Sequence, residues 1–166
     1  MSIKAFFNYK DQFMEDILTN PRIVDLITEG NPPDDPRDLV YRQVFPYEHI
    51  PEAVEHGQTF ICVDVDLTKS HDSTYIYPVI YVWVFTHKSL MSISTGGVRV
   101  DEICSEIDEQ IKGSYEYGMG KLDLYSSRRF APMTGYQGKC LMFQAKDWNM
   151  PPADKNKTIP TRRGRI

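Results

Sequence analysis

The sequence predicts an α+β fold: a central, mostly antiparallel sheet of about four strands, flanked by N-terminal helices and one amphipathic helix. Three observations carry this. Apolar residues recur at helical spacing in the first eighteen positions and again over 96–112. Residues 59–67 alternate with a period of two, and 75–87 form a denser apolar run. The helical and extended segments come in blocks rather than in strict alternation, which favours helices packed on a sheet.

Each element has a local cause. Ile3, Phe6, Phe7, Phe13, Met14, Ile17 and Leu18 fall at helical spacing. Asn20-Pro21 ends that helix and starts a short second one, because Asn caps a helix N-terminus and Pro fits its first turn. Ile23, Val24, Leu26 and Ile27 are the apolar residues of the second helix. NPPDDP at 31–36 is a loop, 37–45 is ambiguous, and Pro46 and Pro51 bracket an extended connection. In 59–67, Ile61, Val63, Val65 and Leu67 point one way and Cys62, Asp64 and Asp66 the other, as in a half-buried strand. The next strand, 75–87, is apolar on both sides, with Ile76, Ile80, Val82 and Val84 opposite Tyr75, Tyr77, Val79, Tyr81, Trp83 and Phe85. Such a strand needs cover on both faces, from helices, a neighbouring subunit or both. Val100, Ile103, Cys104, Ile107 and Ile111 form an i, i+3, i+4, i+7 stripe opposite Asp101, Glu102, Glu106, Asp108 and Glu109, with Gly113 as the stop. Two strands near 121–127 and 139–146 follow, with Gly135 and Gly138 marking their turn.

The 166 residues suit one domain, 1–148, followed by a basic tail, 149–166. The tail holds five Lys/Arg against one Asp, net +4; this leaves 14 basic and 22 acidic residues in the body, net −8. An acidic body grips nucleic acid poorly, because phosphates need clustered cations. The Pro-rich tail is expected to be extended or disordered, with Arg162, Arg163 and Arg165 available to an acidic partner or DNA. The start of the chain meets acids too early for a secretory signal, and no run reaches the length of a membrane helix, so a soluble, intracellular protein with no membrane partner is expected. Cys62, Cys104 and Cys140 are far apart and form no CxxC, as small hydrophobes in a reducing compartment do.

Candidate chemistry is sparse. Asp64 and Asp66 share a strand face and are the weak candidates for holding Mg²⁺ or Mn²⁺; alternating acids on a wet strand face are the commoner meaning of the pattern. His49, His56, His71 and His87 make no ligand spacing, and no nucleophile elbow or phosphate loop is present. Gly96-Gly97 before an acidic helix reads as a tight turn rather than a phosphate site. Tyr75, Tyr77, Tyr81 and Trp83 lack the basic groove that base stacking needs, so packing in a core or interface is expected. Arg128-Arg129 is a small basic spot suited to salt bridges with a neighbour's acidic helix. No enzyme activity and no cofactor are expected.

NPRIVDLI, YEHIPEAVEHGQTFICVDVDL, YIYPVIYVWVF, GVRVDEICSEIDEQI and YQGKCLMFQAKDWN, in that order, resemble the small neck and tail-completion proteins of tailed bacteriophages, the tail terminator group in particular. The resemblance covers 1–148 and is one of element order and texture; the basic tail has no counterpart in it. It implies a homo-oligomeric ring, a hexamer, that caps the tail tube protein and offers a docking face to the head connector. The virion neck is the implied location, with assembly in the host cytoplasm and DNA passing through the channel without sequence-specific binding. On that reading Tyr75, Tyr77, Tyr81, Trp83, Phe85, Arg128 and Arg129 lie at subunit or partner interfaces, and Asp101, Glu102, Asp108 and Glu109 face the channel. The alternatives are another neck component such as a head-closure or adaptor protein, a metal-dependent enzyme using Asp64 and Asp66, and a monomeric adaptor or inhibitor.

Overall fold

The computed structural model describes residues 3–52, 57–69, 75–117, 121–145 and 147–148. It is an α+β fold. Helices α1 (Ile3–Leu18) and α2 (Pro21–Thr28) come first; strands β1 (Val44–Phe45), β2 (Thr59–Lys69) and β3 (Tyr75–His87) follow. Helix α3 (Arg99–Ile111) then precedes β4 (Asp123–Phe130), β5 (Tyr136–Gln144) and β6 (Asp147–Trp148). The sheet runs β1-β2-β3-β5-β4, with β6 also pairing β3. All pairings are antiparallel except the two-residue parallel contact of β1 with β2. The four long strands are those the sequence predicts. The two short pieces carry no alternation long enough to read.

Local chemistry sets the boundaries. Asn20 Oδ1 accepts from the backbone N–H of Arg22 at 2.9 Å and of Ile23 at 3.4 Å, which fixes the start of α2 at Pro21. The ambiguous 37–45 piece resolves into a 3-10 turn, Pro36–Leu39, capped by Asp35, and then β1. Gly96 and Gly97 adopt φ of 90° and 102°, a region closed to most side chains, and so make the turn into α3. Arg99, in the first turn of α3, is buried. Its Nε donates to Leu90 O at 2.7 Å and a terminal N–H to Leu26 O at 2.5 Å, so one guanidinium ties α3 to the end of α2.

Gly138 corrects one expectation: it lies inside β5, not in the turn, which spans 131–135. It is paired with Phe85 and Phe130, and a Cβ there would lie 1.9 Å from Val84 O and 2.5 Å from Phe85 Cα. The glycine lets the β3 backbone approach closely, a packing demand that composition alone presents as a turn signal.

The three helices share one face of the sheet. Phe13, Ile17, Ile23, Ile27, Ile103 and Ile107 meet Ile61, Val63, Ile80, Val82, Val84, Leu141 and Phe143 in one buried cluster. Each large apolar side chain so enclosed contributes about 1.5–3 kcal/mol, making this face the main source of stability. Among the described residues no helix is long and apolar enough to cross a membrane.

Candidate functional site: the open face of the sheet

Among the described residues, the opposite face is closed over at one end. There Phe45, Phe60, Cys62, Phe85 and Tyr136 form a second, smaller buried cluster, against which Trp83, Phe130 and Met133 pack partly buried. The 45–49 segment supplies its lid: His49 stacks on Phe45 with ring centroids 3.9 Å apart, and Cys62 Sγ lies 3.8 Å from His49 O. Phe85 is fully enclosed, between Phe60 (5.4 Å), Phe130 (5.5 Å) and Tyr136 (6.1 Å). This corrects its expected place at a subunit interface. The chain covers Phe85 itself, with rings from β2, β4 and β5 that strand alternation alone does not bring to mind.

Beyond that lid the face opens. The register lays out cross-strand rows: Cys62, Trp83, Cys140 and Arg128 in one, and Asp64, Tyr81, Met142 and Ser126 in the next. Tyr81, Trp83, Cys140 and Met142 are half-buried and Arg128 is exposed. The Tyr81 and Trp83 rings stack, 5.7 Å apart and 18° from parallel. Trp83 also touches Phe130 at 6.4 Å. Aromatic rings, a thioether and one arginine on a partly desolvated surface are the residue types enriched where proteins meet. Cys140 and Met142 escape a reading centred on β3. Their signal is the alternation of KCLMF, which turns Cys140 and Met142 away from Leu141 and Phe143.

Residues 3–145 match the sequence profile of the YomW family. The chain belongs to that family. It is a phage-derived family of Bacillus type, so the protein is phage-associated. No curated protein matches the chain.

The other predicted residues of this YomW-family chain fall in several places. Alternation gives Asp64 and Asp66 open-face positions, but the Asp64 carboxylate turns to Lys10 of α1, an ion pair at 3.3 Å, and accepts from the Val65 N–H at 2.9 Å. Among the described residues no three His, Cys, Asp or Glu side chains gather as metal ligands would. Arg128 and Arg129 do not form one basic spot. Alternation sends Arg128 to the open face beside Cys140 and Arg129 to the helix side beside Lys139. On α3, Asp101 pairs with Lys139 at 2.7 Å, and Glu106 accepts from Asn20 at 3.3 Å. Glu102 and Asp108 are partly buried and Glu109 is exposed. Tyr77 is half-buried on the open face. The Tyr75 side chain, His56, His71, Arg162, Arg163 and Arg165 lie outside the described residues.

The thiols are poor nucleophiles. Burial pushes Cys62 up to about 11 and Cys104 up to about 12. Burial also raises Cys140, against an opposite pull from Arg128. A neutral thiol packs but does not attack. His87 bonds Ser89 Oγ at 2.7 Å and lies edge-on to Tyr136 at 5.3 Å, a structural placement beside Gly135.

Proposed function

We propose that this phage-associated protein is a structural component of a tailed virion, a tail terminator. Copies assemble into a ring, taken as a hexamer, that caps the tail tube and presents a docking face to the head connector. The observation that carries the reading is the half-covered row of Tyr81, Trp83, Cys140 and Met142 on a sheet whose other face is already closed by helices. A second copy seated there supplies the missing cover, and obligate interfaces of this core-like kind commonly bury about 2,000 Å² or more. The order of sequence segments that resembles tail-completion proteins and the membership of a phage-derived family support the same reading.

On this proposal the chain does no catalysis and needs no cofactor. The net charge of −8 on the body keeps DNA sliding through the ring rather than adhering, with Glu102 and Glu109 of α3 toward the channel. The ring sits in the virion neck and is built in the host cytoplasm.

The test is made in the phage. The protein is sought by mass spectrometry in purified particles, and tails are measured by electron microscopy after Trp83→Ser is introduced. The proposal expects the protein at a few copies per particle, and tails of uncontrolled length or unjoined heads in the variant. Particles lacking the protein, with normal tails in the variant, would overturn it.

A further inference from the structure

A second concavity, among the described residues, lies away from the open face and has no part in the function proposed above. It is a groove of about 720 Å³ between α1 and the Pro36–Leu39 turn. Met14, Leu18 and Val40 give it an apolar wall, while Asp11, Glu15 and Asp35 add three exposed carboxylates against the single cation Arg37. Among the described residues none of those three carboxylates is in an ion pair. Apolar floor and acidic rim together ask for an occupant with cations and small apolar side chains.

The chain carries such a segment. Residues 149–166, PPADKNKTIPTRRGRI after Asn149-Met150, hold five Lys/Arg against one Asp and interleave them with Pro151, Pro152, Ile159, Pro160 and Ile166. We infer that this C-terminal segment docks in the acidic groove of its own chain, with Ile159 and Pro160 against Met14, Leu18 and Val40 and its arginines among Asp11, Glu15 and Asp35. Pro-rich segments suit such grooves because their extended form is already set and little entropy is lost on docking.

The geometry allows it. The segment leaves the sheet after Trp148, which pairs with Tyr75, beside the end of β2 at Lys69. The groove lies at the level of β1, through the bridge of Val40 with Val44 and the pairing of Val44 with Ile61. Eight residues of β2 separate those levels, about 27 Å. Eighteen residues reach about 60 Å when extended, which leaves slack for the path around α1.

The experiment places a photo-crosslinker in the groove of the full chain, Arg37→p-benzoylphenylalanine, at an exposed position. Equal amounts of ¹⁴N- and ¹⁵N-labelled chains are mixed, irradiated and digested, and the cross-linked peptides are weighed. The expected result is a dominant link to the 149–166 peptide, in light–light and heavy–heavy form only. Asp11→Lys with Glu15→Lys should cut that link about tenfold, and Arg162→Glu with Arg163→Glu in the same chain should restore it. Should the groove variant misfold, Arg162→Glu with Arg163→Glu alone leaves the body untouched and should give the same loss. Links to any other segment, light–heavy links that place a second copy's tail in the groove, or a yield indifferent to these charges would overturn the inference.

Discussion

Asp16 shows two effects competing on one side chain. Burial raises the pKa of its carboxyl, while the hydrogen bond donated by the Tyr117 hydroxyl pulls it down; burial wins. Tyr117 is itself fully buried and pushed well up by desolvation and by Asp16, so it stays protonated and keeps donating. A carboxyl whose folded pKa lies above its unfolded value stabilises the fold while both states are protonated. That contribution is lost as pH rises through the folded value. Asp16→Asn should therefore flatten the acid side of the stability profile, removing a fall in stability with rising pH, as read by urea unfolding across a pH series. Gly138 offers a steric counterpart. An added Cβ has to displace the backbone of β3 at Val84, so Gly138→Ala should cost about 1–3 kcal/mol in the same unfolding assay, despite adding a single methyl. Unchanged stability would mean that β5 does not sit as close to β3 as described.

At the level of elements, β3 divides its aromatics between two duties. Phe85 is held inside the chain, and Phe85→Ala should cost about 3–5 kcal/mol of stability in denaturant unfolding. Trp83 stands on the same face two residues earlier, but half-buried, and Trp83→Ser should cost the fold much less while abolishing association. The sequence makes the aromatic face of β3 legible because alternation survives any tertiary context. It does not tell Phe85 from Trp83, because what covers each comes from residues 45–60 and 130–136, far away in the chain. The α3 stripe was readable for the same reason as β3, and its buried residues are the predicted Val100, Ile103, Cys104, Ile107 and Ile111. Arg99, also buried there, was hidden, since a basic residue at a helix start looks like a solvated one until its carbonyl partners are in place. Gly138 misled as a turn because glycine serves close packing and reversal alike. Alternation puts Asp64 on a wet strand face and the resemblance puts Asp101 toward a channel, yet Asp64 is held by Lys10 and Asp101 by Lys139, pairings across 54 and 38 positions that only folding creates.

For the molecule as a whole, the described residues seal the sheet with helices on one side and leave the other partly open, while the charge is split between an acidic body and a basic tail. The open side suits an assembly and not a lone chain, which would do better to replace Tyr81, Trp83 and Met142 with polar residues. The claim at the centre of this account is that another copy covers that row. Its most direct test is the mass in solution of the full-length protein by sedimentation and native mass spectrometry, with and without purified tail tube, beside Tyr81→Ser/Trp83→Ser. The account predicts a closed multi-copy ring for the wild type, on its own or once the tube is added, and a folded monomer for the variant under both conditions. A wild type that stays monomeric with the tube present, or a variant that assembles as well as the wild type, would contradict it.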